Sequence, residues 1–233
     1  MPHKSSQRKR SKATSRSDNV CDSLKSSCKP GEIGELAIAP VFHDEDESCI
    51  RSIYESAGLL IPDPLNCWDQ AISIWLEEYR IDFGPSSILE VNLDFAVYVF
   101  DESFERVLVA YAISSSPLFS KDKSRMRGFP NVNSDVKNTL GENAFAADRG
   151  HFLGHAAGGI LDINLFPQRR ELNRGWSREG QLFRKMERHA ASHLNTFVYH
   201  RAIYNDDTWI PETLEFGLLV DDKTWWIERF QNK

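Results

Sequence analysis

Two different hydrophobic periods occur along this chain, and together they restrict the folds it can adopt. From residue 64 to residue 80 the large apolar side chains recur at steps of three and four, the period of one helix face: Trp68, Ala71, Ile72, Trp75, Leu76 and Tyr79. From residue 92 to residue 113 the apolar side chains alternate instead, with a break at residues 101–103, and this pattern predicts a β-hairpin. Because helical and strand segments follow each other in separate runs, the sequence indicates the α+β class.

Further elements are predicted on both sides of this hairpin. Apolar residues from Cys49 to Tyr54 have helical spacing, and Gly58 can end that helix. Residues 114–138 are polar and contain two prolines, so we expect an exposed loop. One long helix is then predicted, interrupted at modest cost by Gly180, from an apolar face made by Leu172, Trp176, Phe183, Met186, Ala190 and Leu194. Strands are expected at 197–203, 216–220 and 224–227.

The chain of 233 residues divides into three predicted parts. Residues 1–30 are rich in Ser, Lys and Arg and poor in large apolar groups, so we expect them to be disordered. Residues 31–90 form a helical part of unknown role, which could bind a partner or an inhibitor. Residues 91–233 form the domain that carries the motifs described below.

Composition excludes some classes of protein. The chain has no run of eighteen apolar residues, so neither a transmembrane helix nor a membrane partner is expected. The basic N-terminus has no apolar stretch behind it, unlike a secretory signal peptide. We therefore expect a cytoplasmic protein, or one that a dedicated non-classical system exports. The four cysteines match no zinc-binding spacing and are expected to be reduced.

The distribution of charge is more informative than its total. The formal net charge is −6, which by itself disfavours a polyanionic substrate. Between residues 145 and 190, however, eight Lys and Arg residues face five Asp and Glu residues, which gives a local charge of +3. A solvated helix face also has mixed charges of this kind. The local excess is compatible with phosphate binding and does not establish it.

The segment from residue 147 to residue 187 contains the parts that phosphodiester hydrolysis requires. A histidine can activate water because imidazole titrates near neutral pH, and His151 is available for this role. A hard divalent cation prefers oxygen ligands, and the side chain of Asn173 offers a neutral carbonyl oxygen. A guanidinium can stabilise the added negative charge, and Arg149 is two residues from His151.

The same segment resembles the DNA/RNA non-specific endonuclease family, a branch of the ββα-metal (His-Me finger) nucleases. Three linked elements carry the resemblance: Asp-Arg-Gly-His at 148–151, Asn-Leu-Phe-Pro-Gln at 164–168, and the Asn at 173. The resemblance is strong from about residue 145 to residue 190 and weaker on either side. It implies a ββα-metal finger embedded in an antiparallel sheet with flanking helices.

The resemblance also implies roles for individual residues. His151 would be the general base, Arg149 would steady the phosphate, and Asp148 would hold the geometry of the motif. Asn173 would be the direct protein ligand of one Mg²⁺ or Mn²⁺ ion. The supporting or substrate-binding residues would be Asn164, Gln168, Arg174, His155 and Glu179.

Two positions of the family pattern are left open. The family carries a Glu about two helical turns after the metal-binding Asn, and here Gln181 stands at that position, flanked by Glu179 and Glu187. The family's second arginine precedes the signature, and either Arg125 or Arg127 could take its place. The connection from His151 to Asn173, 22 residues along the chain, is short for the family.

Less specific interpretations exist for these residues. Asn173 could be the N-cap of the helix that follows it, since Asn is favoured there. His151 and His155 are four residues apart, as in some metal pairs, but Phe152 stands where a zinc protease has Glu. His189, His193 and His200 are expected at the surface or in a strand, and Gly158-Gly159 is expected to form a turn.

Three functions follow from these observations. The first is a metal-dependent nuclease that cuts DNA, RNA or both, acting as a toxin or effector or restrained by an inhibitor or immunity protein. The second is an inactive nucleic-acid-binding module of the same fold. The third is a zinc-dependent hydrolase of another substrate that uses His151 and His155.

Overall fold

The computed structural model describes residues 49–93, 95–117 and 131–233. Its main element is a six-stranded, wholly antiparallel sheet in the order β1-β2-β3-β6-β7-β8. The strands are β1 Ile88–Leu93, β2 Ala96–Asp101, β3 Arg106–Ile113, β6 Phe197–Ile203, β7 Thr213–Val220 and β8 Thr224–Gln231. A separate two-stranded sheet contains β4 Ala147–His151 and β5 Leu165–Arg169. The predicted disordered tail, Arg125 and Arg127 lie outside the described residues.

Five α-helices accompany the sheets in the described part of the chain. They are α1 Cys49–Ser56, α2 Trp68–Phe83, α3 Val132–Leu140, α4 Arg170–Arg174 and α5 Arg178–Ser192. The first two confirm the helical periods of the sequence, and Gly58, with a φ of 68°, follows the end of α1. None of the described helices combines the length and the apolar character that a bilayer span requires.

The helices α1 and α2 pack on the six-stranded sheet. Trp68 is fully buried, and its ring lies 5.2 Å from Tyr111, 4.8 Å from Phe197 and 5.1 Å from Tyr199. Both helices share one apolar core with the sheet. The predicted domain boundary at residues 90/91 falls inside β1, because β1 pairs with β2 along its whole length. Residues 49–90 therefore contribute to the same apolar core as the rest of the sheet.

The predicted hairpin is confirmed as β2 and β3, which pair antiparallel from residue 96 to residue 112. The sequence prediction missed β1, which forms because the chain reverses again between Leu93 and Ala96. The predicted loop 114–138 was wrong in its last part, where α3 begins. Asn131 caps that helix by accepting a hydrogen bond from the Asn133 N–H at 3.0 Å.

The helix α3 holds the beginning of β4 in place through a small second core. Val136 and Ala147 are fully buried there together with Ile210. The side chain of Asn133 also accepts a hydrogen bond from the Ala147 N–H at 3.0 Å. Both contacts fix the strand one residue before the Asp-Arg-Gly-His segment.

The single long helix predicted from residue 174 to residue 194 was wrong, because two helices with a turn between them occupy this region. Gly175 has a φ of 72°, a left-handed conformation that ends α4. Ser177 caps α5 by accepting a hydrogen bond from the Gly180 N–H at 2.9 Å. Trp176 lies in the turn and is 62% exposed, so it does not belong to the apolar face.

Gly180 allows the two helices to approach each other closely. A Cβ atom at this position would lie 2.4 Å from the carbonyl oxygen of Glu171 and 2.9 Å from the Cα of Gly175. Both are backbone atoms, which cannot move away cheaply. Gly180 interrupts the single helix that the sequence predicts, but the close packing of α4 against α5 requires it.

His200 lies inside the core and not at the surface. Its ring is 4.0 Å from the ring of Phe216 and 5.9 Å from that of Phe183. Neither ring nitrogen has a hydrogen-bond partner among the described residues. Burial lowers the pKa of His200 from 6.5 to about 3, so the ring is neutral in the folded protein.

This burial predicts a pH dependence of stability. In the unfolded chain His200 binds a proton below about pH 6.5, whereas the folded protein does not bind it until about pH 3. Stability is therefore lost as the pH falls below 6.5, and the loss from this group approaches ~1.4 kcal/mol per pH unit. Urea unfolding at pH 7 and pH 5 should show that His200→Phe loses about 2 kcal/mol less than the wild type. The exposed His193→Phe is the control, and an equal loss in all three proteins would contradict the prediction.

Candidate active site

The Asp-Arg-Gly-His segment forms a hairpin with the Pro-Gln segment, and a helix follows. The strand β4 pairs with β5 in the register Asp148↔Gln168, Gly150↔Phe166 and His151↔Leu165. The helix α4 begins at the residue after β5 ends, and it contacts both strands. This hairpin with its helix, which we call the finger, has the strand-strand-helix order that the resemblance implies. It confirms the predicted α+β class, with the hairpin beside the larger sheet as a sheet of its own.

Asp148 binds two arginines of α4. Its Oδ2 accepts a hydrogen bond from Nε of Arg174 at 2.5 Å, and its Oδ1 accepts one from Nη2 of the same residue at 2.9 Å. A third hydrogen bond, from Nε of Arg170, is longer at 3.3 Å. Paired hydrogen bonds of this kind fix both the position and the orientation of a guanidinium. Asp148 therefore ties the first strand of the finger to its helix.

Gln168 holds the side chain of Asn173. The Nδ2 of Asn173 donates a hydrogen bond to Oε1 of Gln168 at 2.7 Å. Because the amide nitrogen is engaged in this way, the Oδ1 of Asn173 points away from Gln168 and can accept a hydrogen bond or coordinate a cation there. Gln168 is 1% exposed, so its position is set by the surrounding residues and not by solvent.

Asn173 is not a helix cap. It lies in the last turn of α4, and the cap of α5 is Ser177. The simpler structural explanation for an Asn at this place in the sequence is therefore wrong. Its hydrogen bond to Gln168 also gives the Pro-Gln pair of the motif a physical role.

Gly150 explains the third residue of the Asp-Arg-Gly-His motif. A Cβ atom on Gly150 would lie 2.5 Å from Oε1 of Gln168 and 2.6 Å from its Cβ. The side chain of Gln168 therefore lies directly over Gly150, where no other residue type leaves enough room. Since His151 follows Gly150 and Asn173 binds Gln168, this contact brings the two parts of the motif together.

Arg149 and His151 occupy alternate positions of β4. Side chains two residues apart in a strand lie on the same face, so these two side chains can act on one bound group. Both residues are half-buried. Arg149 pairs in register with Pro167, and His151 pairs with Leu165 at the end of the hairpin.

Asn164 organises the loop that follows His151. Its Oδ1 accepts a hydrogen bond from the Leu153 N–H, and its Nδ2 donates to the carbonyl oxygens of Leu153 and Ile160, all at 2.8 Å. The residue is completely buried, so it holds the loop and does not reach a substrate. Gly159 is required beside it, because a Cβ there would lie 1.8 Å from the Leu153 carbonyl oxygen.

His155 lies within this loop, and Glu187 approaches the loop from α5. His155 begins a one-turn 3-10 helix, and it is buried with 8% of its surface exposed. The helix α5 packs on this turn, and Oε1 of Glu187 lies 3.6 Å from the Cβ position of Gly154. Burial raises the pKa of Glu187 above its usual value, although Arg184 and Arg188 partly oppose the shift. Glu187 is the glutamate of α5 that approaches the loop after His151.

The other two positions considered for the family's Glu lie elsewhere. Glu179 is exposed and accepts a hydrogen bond from Nη2 of Arg169 at 2.7 Å. Gln181 is exposed on α5. The spacing in the sequence could not separate these positions from Glu187, because the turn at Gly175 changes the helical phase after Asn173.

Asn232 holds the second strand of the finger from outside. Its Oδ1 accepts a hydrogen bond from the Arg169 N–H at 2.9 Å, and its Nδ2 donates to the Pro167 carbonyl oxygen at 3.0 Å. The same amide also donates to the carbonyl oxygen of Pro211 at 3.0 Å. No motif in the sequence pointed to Asn232, because its role depends on contacts more than 60 residues away.

The donor set of the finger is poor in the usual metal-binding side chains. Within the part of the chain that the structure describes, no group of three or more His, Cys, Asp or Glu side chains is arranged to hold a metal ion. The Oδ1 of Asn173 is an oxygen donor, which suits a hard cation that keeps most of its water shell. The predicted Asn173 ligand fits that type of cation.

Comparisons with known proteins found similarity to solved structures alone. No family model matches this chain, and no curated protein matches it. Among solved structures, it is similar to the Sda1 nuclease with bound zinc ion, with 18% identity and a TM-score of 0.44 over 61% of this chain and 76% of that chain. It is also similar to a structure of the EndoG/EndoGI complex that concerns EndoG inhibition, with 14% identity and a TM-score of 0.39 over 62% of this chain and 74% of that chain.

The contact between Gly150 and Gln168 predicts that Gly150→Ala destabilises the protein. The added methyl group would overlap Gln168, and overpacking of this kind costs about 1–3 kcal/mol. Gly154→Ala, four residues further along the chain, is a matched control, since the nearest atom to its Cβ position is 3.6 Å away. Denaturant unfolding should show a loss for Gly150→Ala and a change within about 0.5 kcal/mol for Gly154→Ala. Equal stabilities of the two variants would mean that Gln168 does not lie over Gly150.

Proposed function

We propose that this protein is a divalent-metal-dependent nuclease that hydrolyses phosphodiester bonds in DNA, RNA or both. The observation that carries the proposal is the position of Asn173. Its amide is held by Gln168 on the hairpin, beside Gly150 and His151, and it caps no helix. A polar side chain that is fixed in this way without a capping role is well suited to bind a cation.

Asn173 would hold a Mg²⁺ or Mn²⁺ ion through its Oδ1. When bound, such a cation neutralises negative charge on the phosphate and on the leaving oxygen. Gln168 supports this role by fixing which end of the Asn173 amide points away from the hairpin. Residues that orient a metal ligand commonly change the metal affinity about 10- to 100-fold when they are removed.

His151 would act as the general base of the reaction. It accepts a proton from a water molecule as the water oxygen attacks phosphorus, and the bond from phosphorus to the 3′ oxygen breaks. Arg149 shares the face of β4 with His151. Its guanidinium would therefore contact the same phosphate and stabilise the charge that develops on it.

The other residues of the finger would position these groups. Asp148 holds Arg174 and Arg170, and Asn164 holds the loop after His151. Glu187 lies against that loop at Gly154, so we assign to it, and not to Glu179, the place of the family's Glu. Glu179 would fix Arg169 beside the substrate path. A toxin or effector role and an inhibitor partner stay predictions from the sequence.

The proposal predicts metal-dependent cleavage that requires both parts of the motif. Purified protein is incubated with supercoiled plasmid and with single-stranded RNA, in the presence of Mg²⁺, Mn²⁺, Zn²⁺ or EDTA. Mg²⁺ or Mn²⁺ should support cleavage, and His151→Ala should reduce the rate about 10²- to 10⁴-fold. Asn173→Ala should abolish the response to added metal. The exposed His193→Ala should keep wild-type activity.

Each variant is first shown to be folded by its unfolding curve. Cleavage that needs Zn²⁺, fails in His155→Ala and survives in Asn173→Ala would support the zinc-dependent hydrolase instead. Folded wild-type protein that binds nucleic acid and cleaves it under none of these metals would be the inactive module.

A second prediction concerns the hydrogen bond from Asn173 to Gln168. Gln168→Met keeps the size of the side chain and removes the acceptor for Nδ2 of Asn173. The Mg²⁺ concentration that gives half-maximal cleavage should rise about 10- to 100-fold, because the ligand is no longer oriented. Gln231→Met, at an exposed position of β8, is the control. An unchanged Mg²⁺ requirement in Gln168→Met would exclude the positioning role.

A further inference from the structure

Trp176 is a large aromatic side chain in an unusual place. Its position in the apolar pattern of the sequence predicts burial, but it is 62% exposed. A single exposed apolar side chain needs no functional explanation by itself, so the case for Trp176 depends on the groups around it. Neither the metal site nor the general base proposed above uses this residue.

The backbone around Trp176 is fixed. Its N–H donates a hydrogen bond to the carbonyl oxygen of Glu171 at 2.9 Å, and the left-handed turn at Gly175 precedes it. Ser177, which follows, caps α5. The ring is therefore presented by a defined turn between two helices.

One side of the ring is covered by a positive charge. The Cζ of Arg174 lies 4.9 Å from the centroid of the Trp176 ring, a distance at which cation and ring attract each other. Asp148 holds the same guanidinium through two hydrogen bonds. A chain of contacts therefore connects the exposed ring to the Asp-Arg-Gly-His strand.

Trp176 is also close to the proposed metal ligand. Trp176 is three positions after Asn173, which limits the distance between the two Cα atoms to about 11 Å. That distance corresponds to about three base steps of ~3.4 Å along one strand. A strand whose phosphate lies at Asn173 therefore has its neighbouring bases within reach of the ring.

The charges near the ring favour a polyanion over an apolar partner. Arg169, Arg170, Arg174 and Arg178 all lie within seven residues of Trp176 on α4, on α5 or in the strand before them. Arginine and tryptophan also occur together at the centres of protein interfaces, so the position of Trp176 next to the proposed phosphate site decides between the two partners. Sites for single-stranded nucleic acid combine the same groups, since bases stack on the ring and phosphates contact the positive charges.

We propose that Trp176 stacks on a base next to the phosphate that is cleaved, and that the site therefore prefers unpaired strands. This inference rests on the proposed nuclease function and names the substrate class of that site. In a duplex both faces of each base are already stacked on neighbouring bases. A single strand, a loop or a frayed end can turn one base face onto the ring.

The test measures binding of three labelled 12-nucleotide probes by fluorescence anisotropy at one fixed salt concentration. The probes are a mixed-sequence single strand, an abasic strand of the same length and the blunt duplex. The full chain is used in the His151→Ala background with Mg²⁺, so that the probes stay intact. The single strand should bind about 5- to 100-fold more tightly than the abasic strand, and more tightly than the duplex.

Substitutions at Trp176 separate stacking from other effects. Trp176→Ala and Trp176→Leu should bring the ratio between the single strand and the abasic strand close to one. Trp176→Phe should keep most of this ratio, because it retains an aromatic face. Affinity for the abasic strand should stay the same in all variants, since the arginines are unchanged. Ile81→Ala, which removes a comparably exposed apolar side chain on α2, is the control.

The outcomes distinguish this inference from the proposed function. The stacking role alone would be overturned by two results together. Protein that retains Trp176 would bind the single and abasic strands with equal affinity, and the wild type would cleave plasmid or RNA in a metal-dependent way. An equal loss on both strands in Trp176→Ala would mean that the residue is structural, and would also overturn it. Absence of binding to every probe, together with absence of cleavage, would overturn both.

Discussion

The contact of the Gln168 side chain with Gly150 and Asn173 is the constraint on which the rest of the site depends. On one side it leaves room only for glycine before His151, and on the other it engages the amide nitrogen of Asn173. The residues that would activate water and bind metal lie 22 positions apart in the sequence, yet one buried amide is in contact with both parts. Because protein interiors are closely packed, a change in the position of this amide displaces both parts together.

Polar contacts hold the finger in addition to the apolar core, which it shares with the six-stranded sheet through Phe166 and Leu172. The buried amides of Asn164, Gln168 and Asn232 each bind groups from a different part of the chain. A single neutral hydrogen bond contributes only about 0.5–1.5 kcal/mol, but an unsatisfied buried group costs about 1–3 kcal/mol. Leaving one of these amides without its partner therefore costs more free energy than its hydrogen bond contributes. The amides thus destabilise other arrangements of the loop and the hairpin more than they stabilise the folded one. The proposed cation and phosphate sites would benefit from that selectivity, because both need side chains in fixed positions.

The sequence predicted those parts of the molecule that depend on local periodicity. The helix α2, the β2–β3 hairpin and the strand β6 follow directly from the spacing of apolar residues. The break after Asn173 was not predicted, because the apolar spacing continues through Gly175 and Trp176 although the chain turns there. The burial of His200 and the role of Asn232 were also missed, since both arise from contacts between residues far apart in the sequence. The motif predicted which residues form the finger. The structure shows which of these residues hold the others in place through hydrogen bonds.

The side chain of Asn232 has a consequence for association between molecules. A two-stranded sheet has two open edges, and an open edge can pair with a strand from another copy and begin aggregation. On β5 the carbonyl oxygen of Pro167 and the N–H of Arg169 point to the same edge, and the amide of Asn232 occupies both. Pro167 has no N–H to offer there in any case. The hairpin can in this way stay near the surface without offering that edge to a neighbouring molecule.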